Sequence, residues 1–169
     1  MKQVLLVDGY NMIGAWPELS RLADDSLEDA RDRLLDMLAN YRGYSGKTVI
    51  VVFDAHQVPG PGSRYRHGGV DVIFTKEKET ADEVIERMAG DLSGRGTVIQ
   101  VATSDSAEQH VAFGRGALRV SARELLIQVR EAEENIRRRL EQPPPRKATL
   151  DQTLPEELKA LLEKWRRGR

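Results

Sequence analysis

Residues 4–7, all apolar, run unbroken into Asp8, and the chain then turns small and polar at Gly9-Tyr10-Asn11. A run of this kind, with no alternation, predicts a strand covered on both faces. A second buried strand is predicted at residues 48–53 (TVIVVF), further strands at 70–74 (VDVIF) and 97–102 (TVIQVA), and a weaker one at residues 117–120. Between these runs the apolar period lengthens. Leu27, Ala30, Leu34, Met37, Leu38 and Tyr41 recur at helical spacing, opened by a capping-box pattern from Ser26 to Asp29 and stopped by Gly43 and Gly46. Thr80 and Glu83 form another capping box and open a helix through Met88. A short helix is expected near His110. Ser121 and Glu124 open a long charged helix that runs to about Leu140, where Pro143-Pro144-Pro145 ends it. Residues 55–69 (AHQVPGPGSRYRHGG) are rich in Gly and Pro and predict a long loop.

Strands alternating with helices predict a doubly wound α/β sandwich around a mostly parallel sheet of four to five strands. Ligands of such sheets bind outside the carboxyl ends of the strands. Asp8 follows the first strand, Asp54 the second and Asp105 the fourth, while Asp82 lies in the first turn of the helix after the third. The topology therefore gathers four carboxylates at one edge. One Asp after a buried strand is more often a turn or helix cap than a ligand; four at one edge make a purely structural role the weaker reading. Crowded carboxylates repel and raise each other's pKa, and a divalent cation is the simplest way to keep them ionised. Oxygen ligands of this type suit Mg²⁺ or Mn²⁺, as one ion or two. Asn11 is placed to hydrogen-bond a carboxylate and fix its orientation. Gly9 is read as a sharp turn that lets a substrate approach.

The 169 residues suit one domain with an appendage, divided at residues 1–142 and 143–169. No stretch has the apolar length of a membrane span, and the start of the chain lacks a signal-peptide pattern. The absence of cysteine excludes disulfides and thiolate metal sites and fits a cytoplasmic protein. The net charge of −1 names no partner, but its distribution is uneven. Residues 143–169 hold seven Lys/Arg and four Asp/Glu, against nineteen and twenty-three in residues 1–142. In this basic tail Pro155 and two Glu suit a helix start, Leu158, Leu161, Leu162 and Trp165 form an apolar stripe, and Lys164, Arg166 and Arg167 load the far end. No nucleophilic cysteine, G-x-S-x-G elbow or P-loop is present, which argues against covalent catalysis and a nucleotide cofactor.

Asp8-Gly9-Tyr10-Asn11, Val52-Phe53-Asp54-Ala55, Glu79-Thr80-Ala81-Asp82 and Thr103-Ser104-Asp105, in that order, resemble the NYN family of the PIN-like nuclease superfamily, and within it the YacP-like branch. The resemblance covers roughly residues 2–140, and the proline break with its tail fits the same branch. It implies a three-layer PIN-like fold and a metal-dependent endoribonuclease that hydrolyses single-stranded RNA, leaving a 5′-phosphate and a 3′-hydroxyl. It also implies a site in which Asp8, Asp82 and Asp105 hold the metal, Asn11 accompanies them, and Asp54, Ser104 and Thr80 support them.

Around such a site the residues suggest RNA contacts. Tyr10 can stack on a base or simply pack; Arg64, Tyr65 and Arg66 combine charge with an aromatic ring, as an RNA backbone and an unstacked base require. Lys147, Arg166 and Arg167 would extend that surface from the tail, toward RNA or a ribonucleoprotein such as the ribosome. The bland alternatives are a solvated loop and an amphipathic helix docked on the body. Two other functions stay open: a module of the same fold that binds RNA or a ribonucleoprotein without cutting, and a different α/β enzyme such as a phosphatase or phosphorelay receiver. The intact acids argue against the first, since a pure binder gains nothing from negative charge beside phosphates. The second lacks the Asp-x-Asp or paired acids it needs at the first strand.

Overall fold

A computed structural model describes residues 1–56, 59–104, 117–141, 160, 161, 163 and 164. Met1–Glu134 and Asn135–Arg169 form two compact units, the boundary falling inside the last helix of the sheet domain. The predicted short helix near His110 and most of the tail lie outside the described residues, as do Asp105, Lys147, Arg166 and Arg167.

Among the described residues six strands form one sheet: β1 (Lys2–Asp8), β2 (Thr48–Phe53), β3 (Ser63–His67), β4 (Val70–Phe74), β5 (Thr97–Thr103) and β6 (Leu118–Ser121), in the order β3-β4-β2-β1-β5-β6. Every pairing is parallel except β3 with β4. The five helices among the described residues are α1 (Gly9–Ala15), α2 (Pro17–Asp25), α3 (Leu27–Ser45), α4 (Ala81–Leu92) and α5 (Ala122–Glu141).

Side chains alternate across the sheet and separate two cores. Leu5, Val7, Val49, Val51, Phe53 and Val72 pack with residues of α1, α2, α3 and α5. Val4, Leu6, Ile50, Val52, Ile99 and Val101 pack with Ala81, Val84, Ile85 and Ala89 of α4. Burial on both faces explains why β1 and β2 are apolar without alternation. The result is the expected three-layer α/β/α arrangement.

The sheet is larger than the four to five strands expected, because residues 63–67 form an edge strand inside the predicted loop. Gly68 and Gly69, with φ of 56° and 87°, make a two-residue turn between His67 and Val70, which pair directly. Two successive positive φ values are what a tight hairpin of this twist needs, and glycine supplies them without strain.

Caps fix where the helices begin. Ser26 accepts from the Asp29 N–H at 3.1 Å, and Gly46 ends α3 in the left-handed conformation. Ser121 accepts from the Glu124 N–H at 3.1 Å and opens α5. Trp16, fully buried between α1 and α2, donates its indole N–H to the Ala122 carbonyl at 2.8 Å and ties this corner to the start of α5.

Candidate active site at the carboxyl edge of the sheet

β1 is central, and its last residue, Asp8, faces the α4 side of the sheet, in line with Leu6 and opposite Val52. Asp8 also caps α1: one carboxylate oxygen accepts from the Asn11 backbone N–H at 3.3 Å. The other accepts from the Asn11 side-chain amide. The Asn11 carbonyl oxygen in turn accepts from the Ser104 hydroxyl at 2.6 Å, just beyond β5. Ser104, Asn11 and Asp8 thus form one relay running from β5 to β1. The capping role and the ligand role expected of Asp8 coincide in one side chain.

Asp8 is only 6% exposed. Burial is the main reason its carboxyl is pushed up to about 6, and the charges of Asp82 and Asp54 push the same way. The Asn11 hydrogen bonds oppose the shift without cancelling it. Asp82 lies in the exposed first turn of α4, whose positive end favours an anion there. That turn is fixed by Thr80, which accepts from the Glu83 N–H at 3.2 Å and donates to the Glu83 carboxylate at 3.0 Å.

Asp54 just after β2 is engaged differently. One oxygen accepts from the His56 backbone N–H at 3.0 Å and meets the His56 ring; the other accepts from the Ala81 N–H at 3.4 Å. Burial works to raise its pKa, but the His56 hydrogen bonds and the Ala81 N–H outweigh it and hold the carboxyl below the ordinary range. Asp54 therefore stays ionised and tethers the start of α4 to the end of β2.

The fold thus carries Asp8, Asp54, Asp82, Asn11, Ser104 and Thr80 to one edge. Among the described residues no three His, Cys, Asp or Glu side chains are arranged to hold a metal by themselves. The donor set is oxygen only, and among the described residues Asn11, Asp82 and Asp54 are the groups that act on the buried Asp8 carboxylate, none of them a cation. That chemistry fits a hard divalent cation.

Gly9 serves packing instead of a sharp turn. It is the first residue of α1, and a Cβ there would stand 2.3 Å from the Phe53 ring. Tyr10 packs on the same ring, with centroids 4.9 Å apart, and its hydroxyl accepts from Arg31 at 3.2 Å. Arg64, Tyr65 and Arg66, grouped by sequence, are divided by the pleat of β3. Tyr65 pairs with Val72 on the α3 side and stacks on Phe74 at 6.2 Å. Arg64 and Arg66 pair with Ile73 and Asp71 on the α4 side, where Arg66 meets Asp71 at 3.2 Å.

A second feature opens beside the acids: a cavity of about 390 Å³ lined by Tyr10, Arg31, Asp54, Phe74 and the segment of residues 59–63. Sequence reasoning passed over Arg31 and Phe74. Arg31 stands three, four and seven positions before Leu34, Leu35 and Leu38. A charge on the apolar face of a helix was the available signal.

Acids collected at the carboxyl edge of a mostly parallel, doubly covered sheet define a PIN-like α/β protein. Residues 5–167 match the YacP-like NYN domain. The chain is 53% identical over 165 residues to the uncharacterized protein YacP of Bacillus subtilis (strain 168), an alignment spanning 98% of this chain and 97% of that protein. The crystal structure of Rae1 (YacP) from Bacillus subtilis superimposes with a TM-score of 0.74 at 53% identity, over 98% of this chain and 95% of the other. A tryptophan-to-leucine mutant of the same protein gives a TM-score of 0.72 at 52% identity, over 99% and 96%. The chain belongs to the YacP-like NYN domain family. That family lies within the PIN-like nucleases, which gives the protein a nuclease-type, RNA-related role. No helix among the described residues is long and apolar enough to cross a membrane.

Proposed function

We propose that the protein is a metal-dependent endoribonuclease that hydrolyses phosphodiester bonds of single-stranded RNA. The observation that carries this reading is the buried Asp8 carboxylate at the end of the central strand, flanked by Asp82 and Asp54 and aimed by the Ser104–Asn11 relay. Asp8, Asp82 and Asp105 would hold Mg²⁺ or Mn²⁺, with Asp54 at the margin, since its oxygens already serve His56 and Ala81. A bound divalent ion supplies an activated water, neutralises phosphate charge and stabilises the leaving oxygen. Asn11 keeps the Asp8 oxygens in one orientation, and Ser104 fixes the amide that does so. Thr80 holds the turn that carries Asp82. The match to the YacP-like NYN domain adds support, as does the absence of a nucleophilic cysteine. The products would be a 5′-phosphate and a 3′-hydroxyl. Arg64 and Arg66 would bind phosphates, and the basic tail with Lys147, Arg166 and Arg167 would add contacts to RNA or to a ribonucleoprotein such as the ribosome.

The test is cleavage of end-labelled single-stranded RNA with Mn²⁺ or Mg²⁺ and with EDTA. Cleavage is expected only with the metal, with Asp8→Asn and Asp82→Asn each inactive but folded, and Asn11→Ala weakened less than either. An Asp8→Asn protein that cuts at the wild-type rate would overturn the assignment. RNA bound tightly but left intact with either ion would instead make the protein a binding module.

A further inference from the structure

We propose that the cavity between α3 and residues 60–63 is a subsite for one unstacked nucleobase of the RNA strand whose phosphate lies at the acidic edge. The inference rests on the RNA-cleaving reading above and adds a position on the strand to it. The volume of about 390 Å³ lies within the range of small-ligand pockets, about 300–1,000 Å³. Its walls have the chemistry of base recognition. Tyr10 and Phe74 supply aromatic surface, linked through the Phe53 ring that stacks on Phe74 at 5.2 Å. The Arg31 guanidinium lies 5.7 Å from the Phe74 centroid and donates to the Tyr10 hydroxyl at 3.2 Å. It is thus braced at the cavity wall, and its five N–H donors exceed that single bond. Aromatic rings and a braced guanidinium are the surfaces on which unpaired bases stack.

The remaining walls favour a base over a phosphate. Asp54, ionised through its His56 and Ala81 bonds, repels an anion but accepts from a base N–H. Gly62 gives the pocket its shape: it has a φ of 77°, and a Cβ there would fall 2.5 Å from the Phe74 carbonyl oxygen. Location supplies the link to cleavage. Asp54 lines the cavity and also accepts from the Ala81 N–H at 3.4 Å, one residue before Asp82, so a base seated here belongs to a nucleotide at or next to the bond presented to the acids.

The experiment measures binding in EDTA, where no cutting occurs. A short base-bearing RNA is compared with an abasic ribose-phosphate strand of equal length, by fluorescence anisotropy. Wild-type protein should prefer the base-bearing strand by about five- to hundredfold, the range one stacked base carries. Arg31→Lys keeps the charge but loses the planar fork, and should lose most of that preference while binding the abasic strand as before. Tyr10→Leu should do the same; if it melts early because of its contact with Phe53, Arg31→Lys decides alone. In the cleavage assay Arg31→Lys should raise KM more than it lowers kcat. Equal binding of the two strands by wild type, or an unchanged preference in Arg31→Lys, would overturn the subsite. Failure of cleavage with Mn²⁺ would strike the nuclease reading and leave the binding comparison readable.

Discussion

At pH 8 without divalent cation, the Asp8 carboxylate is ionised in a place that disfavours the charge. Its folded pKa, about 6, lies above the ordinary 3.8. Between those values the folded protein keeps a proton that the unfolded chain releases. Stability contributed by the protonated form is therefore complete below about pH 4 and is lost as pH rises through 6. Keeping that proton contributes at most about 3 kcal/mol. In a chelator at pH 8, Asp8→Asn should melt several degrees above wild type, and the gap should close toward pH 4. Added Mn²⁺ should raise the melting temperature of wild type and not of the variant. A variant that melts lower at pH 8 would show that Asp8 carries no such burden. Asp8 and Asn11 could be paired from their spacing, but Gly9 could not be assigned to packing, because its neighbour Phe53 lies on another strand.

Elements were legible where the apolar pattern was long. β1 and β2 follow unbroken apolar runs, β4 and β5 follow runs interrupted only at Asp71 and Gln100, and α3, α4 and α5 begin at Ser26, Thr80 and Ser121 as their capping patterns predict. α1 and α2 were not foreseen: Gly9 reads as a sharp turn, and Pro17 occupies the first position of α2, where its missing N–H costs nothing. β3 was hidden by polar side chains, exposed because the strand lies at the sheet edge. The Gly68-Gly69 pair before Val70 was the overlooked signal of a hairpin. Of these elements α4 bears most directly on the site. Thr80→Ala removes the hydroxyl that holds its first turn and should cost about 1 kcal/mol. Loosening that turn frees Asp82 and weakens the Ala81–Asp54 tether. Thermal melting should show the loss, and the Mn²⁺ needed for half-maximal cleavage should rise. Thr80→Ser should restore both, and an alanine variant identical to wild type in both would remove the cap from the account of the site.

For the whole molecule, the strand order has a consequence for how the chain reaches its fold. β1 lies between β2 and β5, and β5 begins only at Thr97, after β2, β3 and β4 in the chain. As the polypeptide leaves the ribosome, one side of β1 waits unpaired with its apolar residues in reach of other chains. Parallel pairings of such long sequence separation make folding slow and leave intermediates prone to aggregation. Residues 1–96 alone should therefore lack a cooperative thermal transition and associate in solution, as calorimetry and light scattering would show. A sharp, reversible melt of that fragment as a monomer would mean that β1 and β2 need no partner from β5. Otherwise the strand that ends in Asp8 is completed late, and the acidic edge is among the last parts of the protein to exist.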